Sequence, residues 1–173
     1  MCFCSLTINN KPIQAGIWCG VKMFEAFTEM ARVEKITNVG QKIPDIHMTD
    51  WLFNFQFTAA VPDINTNILF DCRWKPNIYD FKAIADHFKA DFELFYDEVA
   101  NCVYGTFIYK NGEFHDVYLE REDFDQVIES QDDDGDDVYT FRGEKYDDRE
   151  DAYEILLEEK IKRVNNEEEN PLC

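Results

Sequence analysis

The order of apolar and polar positions predicts strands and amphipathic helices over the first two thirds of the chain. Alternating or β-branched runs indicate strands at 2–9, 51–57, 68–74, 92–96, 102–109 and 113–119. Apolar residues at helical spacing indicate helices at 21–33 and 77–89. Asn77 suits the cap of the second helix, and Asn111-Gly112 is a strong signal for a hairpin between the last two strands.

This order of elements predicts an α+β fold. A strand, a helix, two strands, a helix and further strands form the split β-α-β pattern of a ferredoxin-like fold, an antiparallel sheet with two helices on one face. The strand at 51–57 is expected to carry one aromatic face, formed by Trp51, Phe53, Phe55 and Phe57.

The composition changes after Leu119. Residues 1–119 contain 15 acidic and 10 basic residues, whereas 120–173 contain 21 acidic and 7 basic residues and so hold −14 of the net charge of −19. We therefore predict a ferredoxin-like domain at 1–119 and an acidic C-terminal extension at 120–173 packed on it. Within the extension, the pattern predicts a short helix at 120–131, an acidic turn or mobile loop, a hairpin at 138–146 and a helix at 148–164.

The charge also limits the partners. A protein with a net charge of −19 repels phosphates, so we expect no direct binding to nucleic acid or to an anionic membrane. No apolar run approaches the roughly 18 residues that a membrane span requires. Partners with basic surfaces are favoured instead.

The cysteine pattern favours reduced thiols in the cytoplasm, because the six cysteines form no C-x-x-C pair and no signal peptide precedes them. Cys2 and Cys4 are two residues apart on a strand and face the same side. With Cys19 or Cys72 they could bind a metal through thiolates, although zinc modules do not use this spacing. We expect core cysteines, and the alternative function is a small metal- or thiol-dependent enzyme or regulator using Cys2, Cys4 and a histidine.

No motif indicates catalysis. The chain has no glycine-rich phosphate-binding loop, no dinucleotide fingerprint and no G-x-S-x-G sequence. The acidic run at 132–137 does not fit a calcium loop, because placing Gly135 at the sixth position puts Phe141 where the twelfth-position Glu belongs. We therefore expect no catalytic residue, no cofactor and no metal, and a protein that is not an enzyme.

Two further interpretations concern surfaces. Ferredoxin-like sheets often bind RNA through exposed aromatic side chains, and the candidates here are Phe55, Phe57, Tyr104 and Phe107. Such a face needs surrounding Lys and Arg, which the acidic composition does not favour. The carboxylates along 123–169 either form a solvated surface or imitate nucleic-acid phosphates and occupy a basic groove on another protein. The candidate partner-binding residues are Asp132, Asp133, Asp134, Asp136, Asp137, Asp147, Asp148, Glu150 and Asp151.

One stretch resembles a known family. Arg73-Trp74-Lys75-Pro76 is followed by a helix, by a strand that ends in Tyr96-Asp97-Glu98, and by Gly105-Thr106-Phe107. These features resemble the YubB-type ferredoxin-like domain, which is encoded by phages and plasmids, over roughly residues 1–119. The resemblance implies the fold and an origin in a mobile element, and it implies no activity.

Together these observations predict a non-catalytic phage or plasmid accessory protein that acts by protein–protein binding in the host cytoplasm. The expected partner is a host protein with a basic surface, such as a nuclease or another nucleic-acid-binding defence protein. Anti-CRISPR and anti-restriction inhibitors act on proteins of this kind.

Overall fold

The computed structural model describes residues 1–9, 12–14, 17–18, 21–29, 42–43, 46–47, 52–57 and 66–169. The chain forms two compact units. The first contains Met1–Glu98 and Thr106–Asp116, and the second contains Val99–Gly105 and Val117–Cys173. The predicted division into 1–119 and 120–173 stays a prediction.

The elements follow one another in this order. The first unit contains β1 (Cys2–Asn9), β2 (Pro12–Gln14), β3 (Ile17–Trp18), α1 (21–29), β4 (Lys42–Ile43), β5 (Ile46–His47), β6 (Leu52–Phe57), β7 (Thr66–Cys72), α2 (Ile78–Phe88), β8 (Asp91–Glu98) and most of β9 (Val103–Lys110) and β10 (Glu113–Tyr118). The second unit contains a 3₁₀ turn (Val99–Asn101), α3 (Arg121–Phe124), β11 (Ile128–Gln131), β12 (Asp137–Phe141), β13 (Glu144–Tyr146) and α4 (Arg149–Glu169).

The main sheet has six strands in the order β10-β9-β8-β1-β7-β6. The central strand β1 pairs antiparallel with both β7 and β8, and β6 pairs antiparallel with β7. Every second residue of β1 is fully buried, namely Cys2, Cys4, Leu6 and Ile8. This period of two is the one that the sequence predicted for a strand with one buried face. Because antiparallel sheets and helices occur together, the α+β prediction is confirmed.

Stacked aromatic rings join helices to this sheet. The ring of Phe81 in α2 lies 5.7 Å from that of Phe70 in β7, with the planes 11° apart. Phe27 of α1 stacks on the same Phe81 ring at 6.2 Å, and all three side chains are buried. The predicted helix at 21–33 is helical over 21–29, and its last four residues lie outside the described part of the chain.

Two local signals that the sequence contained are confirmed. The Oδ1 of Asn77 accepts a hydrogen bond from the backbone N–H of Tyr79 at 3.1 Å and so caps α2. Asn111 and Gly112 have φ angles of 53° and 90°. Two consecutive positive φ angles are what a two-residue turn between antiparallel strands requires.

The prediction that the strand at 51–57 carries one continuous aromatic face is wrong. The register of β6 against β7 shifts between Phe53 and Gln56, and Asn54 has a φ of 56°. A bulge of this kind interrupts the alternation of faces along a strand. The ring of Phe55 is half-buried and lies 5.8 Å from that of Phe70, while Trp51 lies outside the described residues.

The predicted helix at 120–131 is also wrong over most of its length. The capping box between Glu120 and Asp123 begins a helix that ends after four residues. Residues 128–131 instead form β11 and pair antiparallel with β12. Ile128, which was expected on an inner helix face, is 63% exposed. Backbone pairing with β12, the next strand along the chain, outweighs the local helical pattern here, because intrinsic helix propensity is a weak preference.

The hairpin and the long helix form near their predicted positions. Arg142 and Gly143 turn the β12–β13 hairpin with φ angles of 51° and 90°. Helix α4 buries one face, formed by Ala152, Tyr153, Leu156 and Leu157. Ile155, which was expected inside, is partly exposed. None of the described helices combines the length and the apolar character needed to cross a membrane.

Candidate functional site

Six of the nine predicted partner-binding residues line one concave surface of the second unit. It has a volume of about 680 Å³ and is formed by the β11–β12 turn, β12 and the start of α4. We call it the acidic concavity; its lining residues are Asp132, Asp136, Asp137, Val138, Tyr139, Asp147, Asp148, Arg149 and Glu150. The structure places Asp133, Asp134 and Asp151 in exposed positions outside this lining.

Backbone hydrogen bonds fix the turn that carries the first of these carboxylates. The Oδ1 of Asp132 accepts from the backbone N–H of Asp134 at 2.9 Å and of Asp136 at 3.0 Å. Gly135 has a φ of 89°, which an L side chain rarely adopts. Side chains that bond their own backbone in this way are typical of Asx turns. The acidic turn therefore has a defined conformation rather than an arbitrary one.

The other carboxylates are positioned by the start of α4. The Oδ1 of Asp148 accepts a hydrogen bond from the backbone N–H of Glu150 at 3.1 Å, as a helix-capping residue does. The two side chains also share a hydrogen bond, which lowers the pKa of Asp148 and, together with burial, raises the pKa of Glu150. Their proximity concentrates negative charge at this end of the concavity.

Positive charge is scarce around these groups. Arg149 lies 3.8 Å from Glu150, and within the described residues no cationic side chain lies within 4.0 Å of the five concavity aspartates, Asp132, Asp136, Asp137, Asp147 and Asp148. Burial, and then the carboxylates of Glu129 and Asp137, raise the pKa of Tyr139 in the same wall. The surface is therefore negative and able to accept cations or hydrogen-bond donors.

A second cluster lies in the first unit and consists of three cysteines. Cys2, Cys4 and Cys72 are fully buried, and their three sulfur atoms lie within 4.8 Å of one another. The Sγ atoms of Cys4 and Cys72 are 3.6 Å apart, and all three cysteines are free thiols. Cys102, by contrast, is exposed.

The three thiols influence one another strongly. Hydrogen bonds with Cys2 and Cys4 lower the pKa of Cys72 to about 4. The hydrogen bonds with Cys2 and Cys72 raise the pKa of Cys4. For Cys2, the hydrogen bond with Cys4 lowers the pKa, but the hydrogen bond with Cys72 and burial outweigh it and raise the pKa to about 12. Among the three thiols, Cys72 is therefore the one whose pKa its neighbours lower.

Sequence analysis predicted core cysteines and gave a thiolate cluster only as the alternative. It placed Cys2 and Cys4 on one side of a strand and left Cys19, Cys72 or a histidine as the third member. Among the described residues the third member is Cys72, and no histidine belongs to the group. Cys19 and the side chain of His47 lie outside the described residues.

Sequence reasoning missed the role of Lys75. Its Nζ lies 4.9 Å from the ring centroids of both Tyr96 and Phe107 and forms an ion pair of 2.5 Å with Asp116. The hydroxyl of Tyr96 donates to the other carboxylate oxygen of Asp116 at 2.8 Å. Lys75, Tyr96 and Phe107 belong to the segments that carried the family resemblance, so their joint presence there was the available signal, whereas no sequence signal pointed to Asp116. Trp74, their neighbour in sequence, is 71% exposed.

The aromatic residues considered for RNA stacking are mostly unavailable. Tyr104 and Phe107 are buried, with exposed fractions of 5% and 1%. A base stacks on an accessible ring face, so these two rings cannot form a stacking platform. Phe55 is half-buried, and the side chain of Phe57 lies outside the described residues.

Comparison with known proteins gives one match. A family model described as a ferredoxin-like domain in Api92-like protein matches residues 54–142. The matched segment runs from β6 to the turn between β12 and β13 and includes the acidic turn. No curated protein and no solved structure matches the chain. The ferredoxin-like prediction is confirmed, and the narrower resemblance to YubB-type domains stays a prediction.

Proposed function

The chain belongs to the family of ferredoxin-like domains in Api92-like proteins, and we propose that it acts as a non-catalytic protein-binding module. In this proposal the sheet of the first unit, with two helices on one face, is the scaffold. The acidic extension at 120–173 is the surface that binds. The partner is a protein with a basic surface that ordinarily binds nucleic acid.

The observation that supports this proposal is the charge of the acidic concavity. Six carboxylates and one guanidinium line it, and its five aspartates have no ion-pair partner among the described residues. Arg and Lys side chains form their strongest hydrogen bonds with carboxylates and phosphates. A surface selected to bind phosphates therefore also suits this concavity, and such complementarity raises the association rate and excludes acidic partners.

The resemblance to YubB-type domains suggests where such a partner is met. An accessory protein encoded by a phage or plasmid works in the host cytoplasm, where nucleases and other nucleic-acid-binding defence proteins present basic grooves. The proposed activity is thus inhibition of the anti-CRISPR or anti-restriction kind by nucleic-acid mimicry. Direct binding to nucleic acid or to a membrane is not part of the proposal, because the chain carries a net charge of −19.

The experiment that tests the proposal removes the charge and keeps the shape. Asp132, Asp136, Asp137, Asp147 and Asp148 are replaced by Asn, and we call this protein the concavity variant. Asn retains the Oδ1 acceptor that the Asx turn and the helix cap use, so the fold is expected to persist. A matched control replaces five exposed acids elsewhere, namely Glu93, Glu113, Asp125, Glu144 and Glu154, by Gln or Asn.

Each immobilised protein is then exposed to a lysate of the host, and the retained proteins are identified. We expect the wild type and the control to retain the same basic protein, and the concavity variant to lose it. Equal retention by all three proteins would show that the acidic concavity is only a solvated surface.

A further inference from the structure

We propose that Cys2, Cys4 and Cys72 form a three-thiolate site for a thiophilic closed-shell cation, Cu(I) or Zn(II). The site lies within the first unit and is independent of the protein-binding role proposed for the second. Its basis is the convergence of three buried sulfur atoms from two neighbouring strands.

Strand register brings the three residues together. Cys2 and Cys4 occupy alternate positions of β1, so both side chains project from the same face. In the antiparallel pairing with β7, Cys72 lies directly opposite Cys2, and Phe70 lies opposite Cys4. Cys72 is therefore the direct neighbour of one cysteine and the diagonal neighbour of the other, and both positions allow side-chain contact.

The spacing of the sulfur atoms suits a metal. A cation bound at about 2.3 Å from each of three thiolates, at the centre of their triangle, needs sulfur atoms about 4 Å apart. The observed separations are 3.6 Å for Cys4 and Cys72 and at most 4.8 Å for the remaining pairs. The three sulfur atoms therefore already lie close to the separation that such a site needs.

The chemistry of the site selects the class of cation. Thiolates are soft ligands that bind Cu(I) and Zn(II) in preference to Mg²⁺ or Ca²⁺. All three side chains are fully buried, so a bound ion is shielded from water. Three-coordinate binding suits Cu(I), whereas structural Zn(II) sites almost always have four ligands. The net negative charge of three thiolates and a bound ion is smaller for Zn(II) than for Cu(I), which favours Zn(II). Because coordination number and charge favour different metals, the experiment below tests both.

Ordinary core packing of cysteines explains this arrangement less well than a metal site does. A core cysteine is buried for the same reason as any small apolar side chain, but that reason does not bring three sulfur atoms to one point. A disulfide joins two sulfur atoms at about 2.05 Å and would leave the third thiol without a role. The three residues are free thiols here.

The test uses full-length protein purified without oxygen in a non-thiol reductant and stripped of metal with a chelator. Cu(I) and Zn(II) are titrated separately against a chromophoric competitor, and the metal-loaded protein is examined by X-ray absorption. The variants are Cys2→Ser, Cys4→Ser and Cys72→Ser. Cys102→Ser is the matched control, because Cys102 is exposed and lies outside the cluster.

We expect one equivalent of metal with a coordination shell of three sulfur atoms. Each cluster variant should weaken binding at least about 100-fold, since loss of a mere outer-shell partner already costs 10- to 100-fold. Cys102→Ser should bind as the wild type does, and the metal that binds in a shell of three sulfur atoms is the one that the geometry of the site suits.

Alanine variants and thermal unfolding of the metal-free proteins separate loss of a ligand from loss of the fold. Two results would overturn the proposal. One is no binding of either metal by the reduced wild type, whether or not Cys4 and Cys72 form a disulfide on oxidation. The other is undiminished binding by folded variants of all three cysteines.

Discussion

Arg142 and Glu159 form a two-bond ion pair, with Nη1–Oε1 and Nη2–Oε2 distances of 2.7 and 3.0 Å. Arg142 lies in the turn between β12 and β13, and Glu159 lies on α4. The pair therefore joins the hairpin to the helix, the two elements that contribute most of the acidic concavity. The Arg142 guanidinium also lies 4.6 Å from the ring centroid of Phe141.

Replacement of Arg142 should loosen this connection. We expect Arg142→Ala to lower the melting temperature modestly, because the pair is solvent-exposed. The melting temperature of Arg142→Lys should lie between those of Arg142→Ala and the wild type, because an ammonium group cannot form the two parallel bonds. Lys145→Ala, an exposed cation of the same hairpin, is the control. Thermal unfolding is monitored by circular dichroism. Equal melting temperatures of the Arg142→Ala and Lys145→Ala proteins would refute the role given to the pair.

Lys75 stabilises the first unit through two aromatic rings and one carboxylate. Lys75→Met keeps the length of the side chain but removes the charge, so the interactions with Tyr96, Phe107 and Asp116 are lost. We expect the free energy of unfolding in urea to fall by about 1–2 kcal/mol. Lys75→Arg should retain most of the stability that Lys75→Met loses, because a guanidinium also binds ring faces. A Lys75→Met protein as stable as the wild type would contradict this.

Asp86 should make stability depend on pH. Hydrogen bonds from Lys82 and Tyr109 lower the pKa of Asp86 in the folded protein. A carboxylate with a lowered folded-state pKa contributes stability above its unfolded value of about 3.9, and the contribution is lost as the pH falls through the folded-state pKa. Asp86→Asn should therefore cost about 1 kcal/mol at pH 7 and progressively less in acid.

Urea unfolding at several pH values measures this difference. Glu93→Gln, which replaces an exposed carboxylate on β8, is the control against which the Asp86→Asn deficit is compared. An Asp86→Asn protein whose deficit stays constant from pH 7 down to the acid limit would contradict the assignment.

Features set by neighbouring residues could be predicted from the sequence. Asn77 caps α2 and Asn111-Gly112 turns the hairpin because the required hydrogen bond or backbone angle depends on those residues alone. The spacing of apolar residues likewise predicted β1 and α2. The acidic run was predicted as a turn or mobile loop, and six of the nine residues that its charge and that of the next acidic run suggested line the concavity.

Features set by pairing between strands could not be predicted in this way. Ile128 stands at helical spacing, but β11 forms because its backbone pairs with β12. The shift of register at Asn54 is visible only against β7. Cys72 joins Cys2 and Cys4 through the register of strands that are far apart in sequence. Alternation along one strand shows which residues share a face, but it does not show which strand lies opposite.

The central claim is that the acidic concavity takes the place of nucleic acid on a basic protein. The most direct measurement is the affinity of the purified partner for the wild type, the concavity variant and the matched control, at low and high salt and with duplex DNA as competitor. We predict a loss of at least about tenfold for the concavity variant alone, weaker wild-type binding at high salt, and mutual exclusion of DNA and protein. Equal affinities of the three proteins, or a complex in which the partner holds DNA and this protein together, would contradict the claim.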